Sequence, residues 1–393
     1  MNRLLNRNAI VEIAFTDFLT GISSALDLLN PANGQRGIRR AFIAMSVLRL
    51  QGASPDVQQN IFIAALLYEL GSKNTNGVSR CEKKLKSTPL IAKSAPLIFD
   101  KSGLHAHSRL LDLIDNFDLL ALYEFPQGRY PAAAIETVCD SIGSRYSLDD
   151  VLALRELESN PEIWWKLSSP ALFDDVRTSS PFTSQLLNEN ELVQLAGLLA
   201  TIIDEHCQYA GPYSAKIAYY SVRLAHLYGF SPSGVNEMRL AGLLHGIGKL
   251  ALPPKQLKRQ SLLTADQQKQ FKAYPLTTRE ILSRIPGMYR TAMIASRQHE
   301  QPNGKGFPDA LFGTQVDLSA RMISAACAYV SLLAGCHSSR QCTSAEAIDV
   351  MKAKSAEGSL DYDVVEALEM IILHEGDTTA HKVQANALQE SIL

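Results

Sequence analysis

The chain has no long hydrophobic run. Its longest candidate, Leu192 to Ile203, is broken by Gln194 and Thr201 and falls short of the roughly 20 apolar residues a membrane-spanning helix needs, so membrane insertion is not expected. Met1 to Arg7 offers neither a sustained apolar segment nor a small-residue cleavage site, which argues against a secretory leader and for a cytoplasmic protein. Charge of one sign is also missing. Lys and Arg total 38 against 40 Asp and Glu, a net −2, so nothing global attracts nucleic acid. The six cysteines stand without paired spacing and read as reduced thiols. Cys336, His337 and Cys342 fall in one loop, where a structural zinc would want a fourth ligand. Strand-type alternation of apolar and polar residues is nearly absent.

What is present is repetition. Over 393 residues, 46% hydrophobic and 20% charged, there is room for two ordinary domains. A shift of 177 residues, without gaps, lays Gly34, Ala41, Leu50, Gly52, Ser54 and Pro55 on Gly211, Ala218, Leu227, Gly229, Ser231 and Pro232 (211 − 34). The same shift places Ala64, Leu66, Leu67 and Gly71 on Ala241, Leu243, Leu244 and Gly248. Internal repeats of this kind point to tandem copies of one unit. The expected layout is one domain over 8–176, a linker over 177–189 containing Arg177-Thr178-Ser179-Ser180-Pro181, a second domain over 190–375, and a tail from 376.

Both copies read as helix. Ile217, Tyr220, Leu224 and Leu227 recur at helical spacing, and Gly229-Phe230-Ser231-Pro232 supplies a stop followed by an N-cap and a first-turn proline. Ala320 to Leu333 and Tyr362 to Leu373 predict further helices. The fold class is all-α, as two tandem helical bundles.

Two motifs stand out in the second copy: Leu243-Leu244-His245-Gly246-Ile247-Gly248-Lys249 and, 54 residues after its histidine (299 − 245), His299-Glu300-Gln301-Pro302-Asn303-Gly304-Lys305-Gly306-Phe307-Pro308. The pair resembles the HD-GYP family of metal-dependent phosphodiesterases, part of the wider HD-domain phosphohydrolases. In that family, imidazoles and a bridging carboxylate hold divalent metals that activate water for attack on phosphorus. The resemblance implies that Tyr213 stands at the first histidine and His245 at the histidine of the His-Asp pair. Gly246 then replaces the bridging aspartate, and Tyr274 the next histidine. Gln298 and His299 fall on the His-His pair, Glu300 on the glutamate that follows, and Cys327 on the later aspartate. His245 and His299 remain as weak metal candidates, and no resident metal or cofactor is expected. Glu300 and Cys327 are the groups that could complete a rearranged site. Lys249, Lys305 and Arg340 are candidate phosphate contacts, although for each alone a solvated surface charge is the commoner state.

The first copy carries Arg36, Tyr68-Glu69 and Tyr123-Glu124 at the equivalent positions, with His105 and His107 nearby, and no metal site is expected there. Gly304, Gly306, Phe307 and Pro308, with Gly128, Tyr130 and Pro131 in the first copy, keep the Gly-Tyr-Pro pattern, which either docks a partner or closes the bundle. The expectation is a catalytically silent signalling protein that binds a regulatory protein such as a diguanylate cyclase or response regulator, with a homodimer open. Two alternatives stand beside it: a cyclic di-GMP receptor that does not hydrolyse its ligand, and a phosphodiesterase with a rearranged metal site.

Overall fold

The computed structural model describes residues 12–30, 34–72, 79–99, 106–122, 124–127, 130–182, 184–258, 263–336 and 341–376. The chain divides into an N-terminal unit, Ala14–Leu186, and a C-terminal unit, Leu187–Leu393 together with Met1–Ile13. Both are helical. Among the described residues the only named strands are two dipeptides, Ile13–Ala14 and Leu186–Leu187, which pair with each other. No described helix is long and apolar enough to cross a membrane.

The principal helices of the N-terminal unit are α1 (Phe15–Asp27), α2 (Arg36–Leu50), α3 (Pro55–Leu67) and α4 (Ala106–Ala121). Those of the C-terminal unit are α5 (Glu189–His206), α6 (Tyr213–Leu227), α7 (Pro232–Leu244), α8 (Ala265–Ser283), α9 (Tyr289–Ser296), α10 (Leu318–Ala334), α11 (Ser344–Ala356) and α12 (Tyr362–Gly376). The 177-residue repeat reappears in their bounds: α2 and α3 map onto α6 and α7 end to end (213 − 36). Ser54 accepts from Val57 N as Ser231 accepts from Gly234 N, each capping a helix with proline in its first turn. Asp27 accepts from Gly37 N, and Asp204 from Ser214 N and Oγ, at the same offset. Arg177 and Thr178 end a helix begun at Leu172, and Asn188 caps α5 with a full capping box.

In the C-terminal unit α7 packs against α5, α6 and α9, and α6 against α10 and α12. Gly242 is what allows α6 and α7 to touch, since a Cβ there would collide with the Ala218 backbone. This crossing sets His245, the C-cap of α7, in the interior at 1% exposure.

The N-terminal unit fills the corresponding interior with ion pairs. Arg39 grips Asp118 through Nε at 2.6 Å and Nη2 at 2.9 Å, while Arg36 and Arg40 reach Asp115 at 2.7 and 2.6 Å. Glu69, at the family's aspartate position, is buried and accepts from Asn30. Arg36 is thus an ion-pair partner. His107 is exposed. Tyr123, Gly128, Arg129 and His105 lie outside the described residues, as does the tail beyond residue 376.

Removing one partner of a buried pair strands the other charge, a cost of about 3–5 kcal/mol. Asp118→Ala is expected to lower unfolding stability by about that amount in a urea titration. Arg145→Ala removes an exposed contact to Asp112 and should cost under about 1 kcal/mol in the same experiment.

Candidate ligand site of the C-terminal unit

His245 lies where α7 ends and a 3₁₀ turn, Ile247–Ala251, begins. The turn presses on α8: a Cβ on Gly248 would overlap Tyr274 O, and Gly248 N donates to Thr278 Oγ1 at 3.1 Å. Glycine is therefore a packing requirement here. His245 Nδ1 donates to Gly242 O at 2.8 Å, which leaves its Nε2 as the lone-pair nitrogen.

The other family positions surround it, and each is already occupied by a contact within the protein. Tyr213 OH is hydrogen-bonded to Ser331 Oγ at 2.6 Å, and its ring stacks on Tyr209 at 4.0 Å. Tyr274 OH takes up His299 Nε2 at 2.7 Å. Gln298 donates to His245 O at 2.8 Å and accepts from the Cys327 thiol at 3.4 Å. Glu300, 1% exposed, accepts from Asp309 N at 2.6 Å and Leu311 N at 2.8 Å. Its carboxylate anchors the loop that follows it. At Gly246 a Cβ would sit 3.0 Å from Ile203 Cγ2, so that a larger side chain would ask that methyl to shift by a few tenths of an ångström, and 3.6 Å from Lys249 Cδ, an ordinary contact.

Lys249 corrects the expectation of a solvated charge: it is 5% exposed. Its Nζ lies over the rings of Tyr274 (5.2 Å), Tyr209 and Tyr213 (each 5.8 Å), and donates to Tyr209 OH at 3.3 Å. A tyrosine cage of this kind holds an ammonium by ring electrostatics. Among the described residues no carboxylate pairs with it. Tyr209 and Ser331 are site residues that the motifs did not reveal. Ser331 carries only a helical-spacing signal, four after Cys327, while Tyr209 sits in the connection between α5 and α6, where no periodicity marks it.

Lys305 is exposed and its backbone N donates to Asn303 Oδ1, while Arg340 lies outside the described residues. Gly306 lets the loop double back, because a Cβ would stand 2.6 Å from Glu300 Cα and His299 O. Gly304 takes a φ of 76°. The Phe307 ring turns inward and stacks on His299 at 4.5 Å, with Pro308 half-buried beside it. In the N-terminal unit Tyr130 likewise packs edge-on against Trp164 at 5.3 Å, and Pro131 is buried at the start of the helix Ala132–Cys139. Neither aromatic stands free.

The donor chemistry does not fit a divalent metal. Burial pushes the Cys327 thiol up to about 12 and the Tyr213 and Tyr274 phenols well above 10, so a cation using any of the three would have to displace its proton. Both Glu300 oxygens are engaged, and among the described residues no group of three His, Cys, Asp or Glu side chains converges on one point. The rearranged site of His245, His299, Glu300 and Cys327 is not assembled.

Residues 197–364 match the HD domain family, and the helical fold around His245 is that of an HD domain. Among relatives, the chain is 24% identical over 384 residues to 3'3'-cGAMP-specific phosphodiesterase 1 of Vibrio cholerae, covering 88% of this chain and 89% of that protein. It is 34% identical over 112 residues to the cyclic di-GMP phosphodiesterase response regulator RpfG of Xanthomonas campestris, covering 28% of this chain and 30% of that one. A crystal structure of a cyclic GMP-AMP specific phosphodiesterase of V. cholerae shares the fold, with a TM-score of 0.64 at 17% identity, covering 92% of this chain and 98% of that one. The C-terminal unit is thus an HD domain, and the chain is homologous to the HD-GYP cyclic-dinucleotide phosphodiesterases.

Burial, then the Lys249 ammonium, hold the His245 imidazole down at about 3, against 6.5 for a free histidine. The unfolded chain takes up this proton below pH 6.5 and the folded chain only near pH 3. Between these values the unfolded state binds more protons, so stability falls as pH drops, by about 1.4 kcal/mol per unit from this group. Asp27, raised by burial from 3.8 to about 6, works in the opposite sense, since its folded form takes the proton first. His245→Gln should therefore flatten the acid-side decline in urea stability between pH 6 and 4.5, and an unchanged slope would contradict the assignment.

Proposed function

We propose that this chain is a cyclic-dinucleotide signalling protein of the HD-GYP class whose C-terminal unit does not hydrolyse its family's substrates and acts instead by binding a protein partner. One observation carries the reading: the side chains at the family's ligand positions are neutral or already engaged by neighbouring groups, from Tyr213–Ser331 to Glu300 with two backbone amides. Two imidazoles without a bridging carboxylate leave a metal cluster nothing to neutralise it. The helices, the close glycine contacts and the loop are all retained, and a binding surface needs those and no more. A regulatory protein such as a diguanylate cyclase or response regulator is the class of partner this reading favours.

Lys249 supports a second reading, that of a receptor. A buried ammonium with one hydroxyl neighbour and no pairing carboxylate among the described residues has donors to spare for an anion. A phosphate of cyclic di-GMP or 3'3'-cGAMP, held without cleavage, would match it.

Purified protein incubated with Mn²⁺ or Fe²⁺ and either cyclic dinucleotide is expected to release no linear dinucleotide by chromatography, at a limit where an active HD-GYP enzyme converts its substrate fully. Metal-dependent turnover abolished by His299→Ala would refute the silent site. Calorimetry with the same nucleotides, on wild type and Lys249→Met, separates the readings: heat lost in the variant supports the receptor.

A further inference from the structure

Arg321 joins two parts of the C-terminal unit's surface. Its guanidinium donates to Asp361 Oδ2 at 2.8 Å, to Gly313 O at 3.1 Å and to Val316 O at 2.7 Å. Asn303 adds a second tie, with its N to Gly358 O at 3.0 Å and its side chain to Glu357 O and Ser359 Oγ. The loop after Glu300 and the start of α12 are therefore one fixed face.

That face is aromatic and acidic. Phe312, beside Gly313, is 65% exposed, and Tyr362, beside Asp361, is 56% exposed. Tyr228 is half-buried and close enough to Asp361 and Asp363 to feel both carboxylates. Asp363 and Glu366 are exposed on the first turns of α12 with Tyr362, whose hydroxyl lies within reach of Glu366 and feels the charge of Lys352, and Glu357 is exposed just before α12. Arg321 is committed to Asp361 and two carbonyls, and Lys352 beside Tyr362 is paired with Glu369 at 2.7 Å, so against the exposed Lys305 the carboxylates of Glu357, Asp363 and Glu366 leave a surplus of negative charge. Aromatic faces rimmed by carboxylates match a guanidinium or ammonium twice over, through the ring quadrupole and through charge. Exposed aromatics at a fixed backbone are also what a docking anchor requires.

We propose that this face docks a basic segment of a partner protein, with an arginine or lysine side chain laid against Phe312 and Tyr362 and paired with Asp363 and Glu366. The proposal rests on the protein-binding reading above and gives it a location and a chemistry. It moves the contact away from Phe307, whose ring is spent on His299.

The test uses the full chain and two synthetic peptides of equal length and identical leucine positions, one carrying arginine and the other glutamate at the polar positions, followed by fluorescence anisotropy. The arginine peptide is expected to bind at low salt and weaken at high salt, with at least a tenfold loss for Phe312→Ser and for the Asp363→Lys/Glu366→Lys double variant. Unchanged thermal unfolding of these variants establishes that the fold is intact. Asp361 is left alone because it also caps α12 through Val364 N. Equal binding of the glutamate peptide, no binding of either peptide, or variants indistinguishable from wild type would overturn the proposal. Sedimentation showing a dimer that Phe312→Ser dissociates would assign the face to a second copy and overturn it too. Detection of nucleotide hydrolysis would fell the silent-site reading while leaving the peptide result standing, so the two failures are distinguishable.

Discussion

A buried positive charge has to be balanced, and in the C-terminal unit the Lys249 ammonium, close to His245, lies over three ring faces and donates to a hydroxyl. Everything nearby is consistent with that choice. Tyr213 and Tyr274 give ring faces where imidazoles would point nitrogen at a cation. Gly246 spares the Ile203 methyl a close contact where a larger side chain would ask it to shift.

The backbone frame serves packing. Gly242 permits the α6–α7 crossing, Gly248 the contact with α8, and Gly306 the reversal of the loop over His299 and Glu300. Each is demanded by a near neighbour whether or not a metal is bound. The N-terminal unit reaches the same end by other means: Arg36, Arg39 and Arg40 with Asp115 and Asp118 form a salt-bridged interior. Two units whose α2–α3 and α6–α7 pairs share their bounds thus hold unrelated chemistry at the centre.

Much of the fold was legible in the sequence, because the 177-residue repeat records backbone constraints. Gly-x-Ser-Pro marks a helix stop and a cap, and these fell on Ser54 and Ser231 as expected. The ligand positions were legible too, through the spacing of His245 and His299. The burial of Lys249 was not, since lysine is ordinarily solvated and the residue whose hydroxyl accepts its hydrogen bond, Tyr209, lies outside every motif. Nor could the inward turn of Phe307 be read, because ring direction depends on the stack with His299. Glu300 stood as a group that could complete a rearranged site, and its carboxylate accepts from amides nine and eleven residues later, a local loop geometry that spacing does not encode.

The central claim is that protein groups have replaced the cations at this site. Equilibrium dialysis of the purified chain against Mn²⁺, Fe²⁺ or Zn²⁺, followed by elemental analysis, addresses it directly. The account predicts well under one ion per chain, with no difference between wild type and His245→Ala. Two ions per chain, lost in that variant, would contradict it.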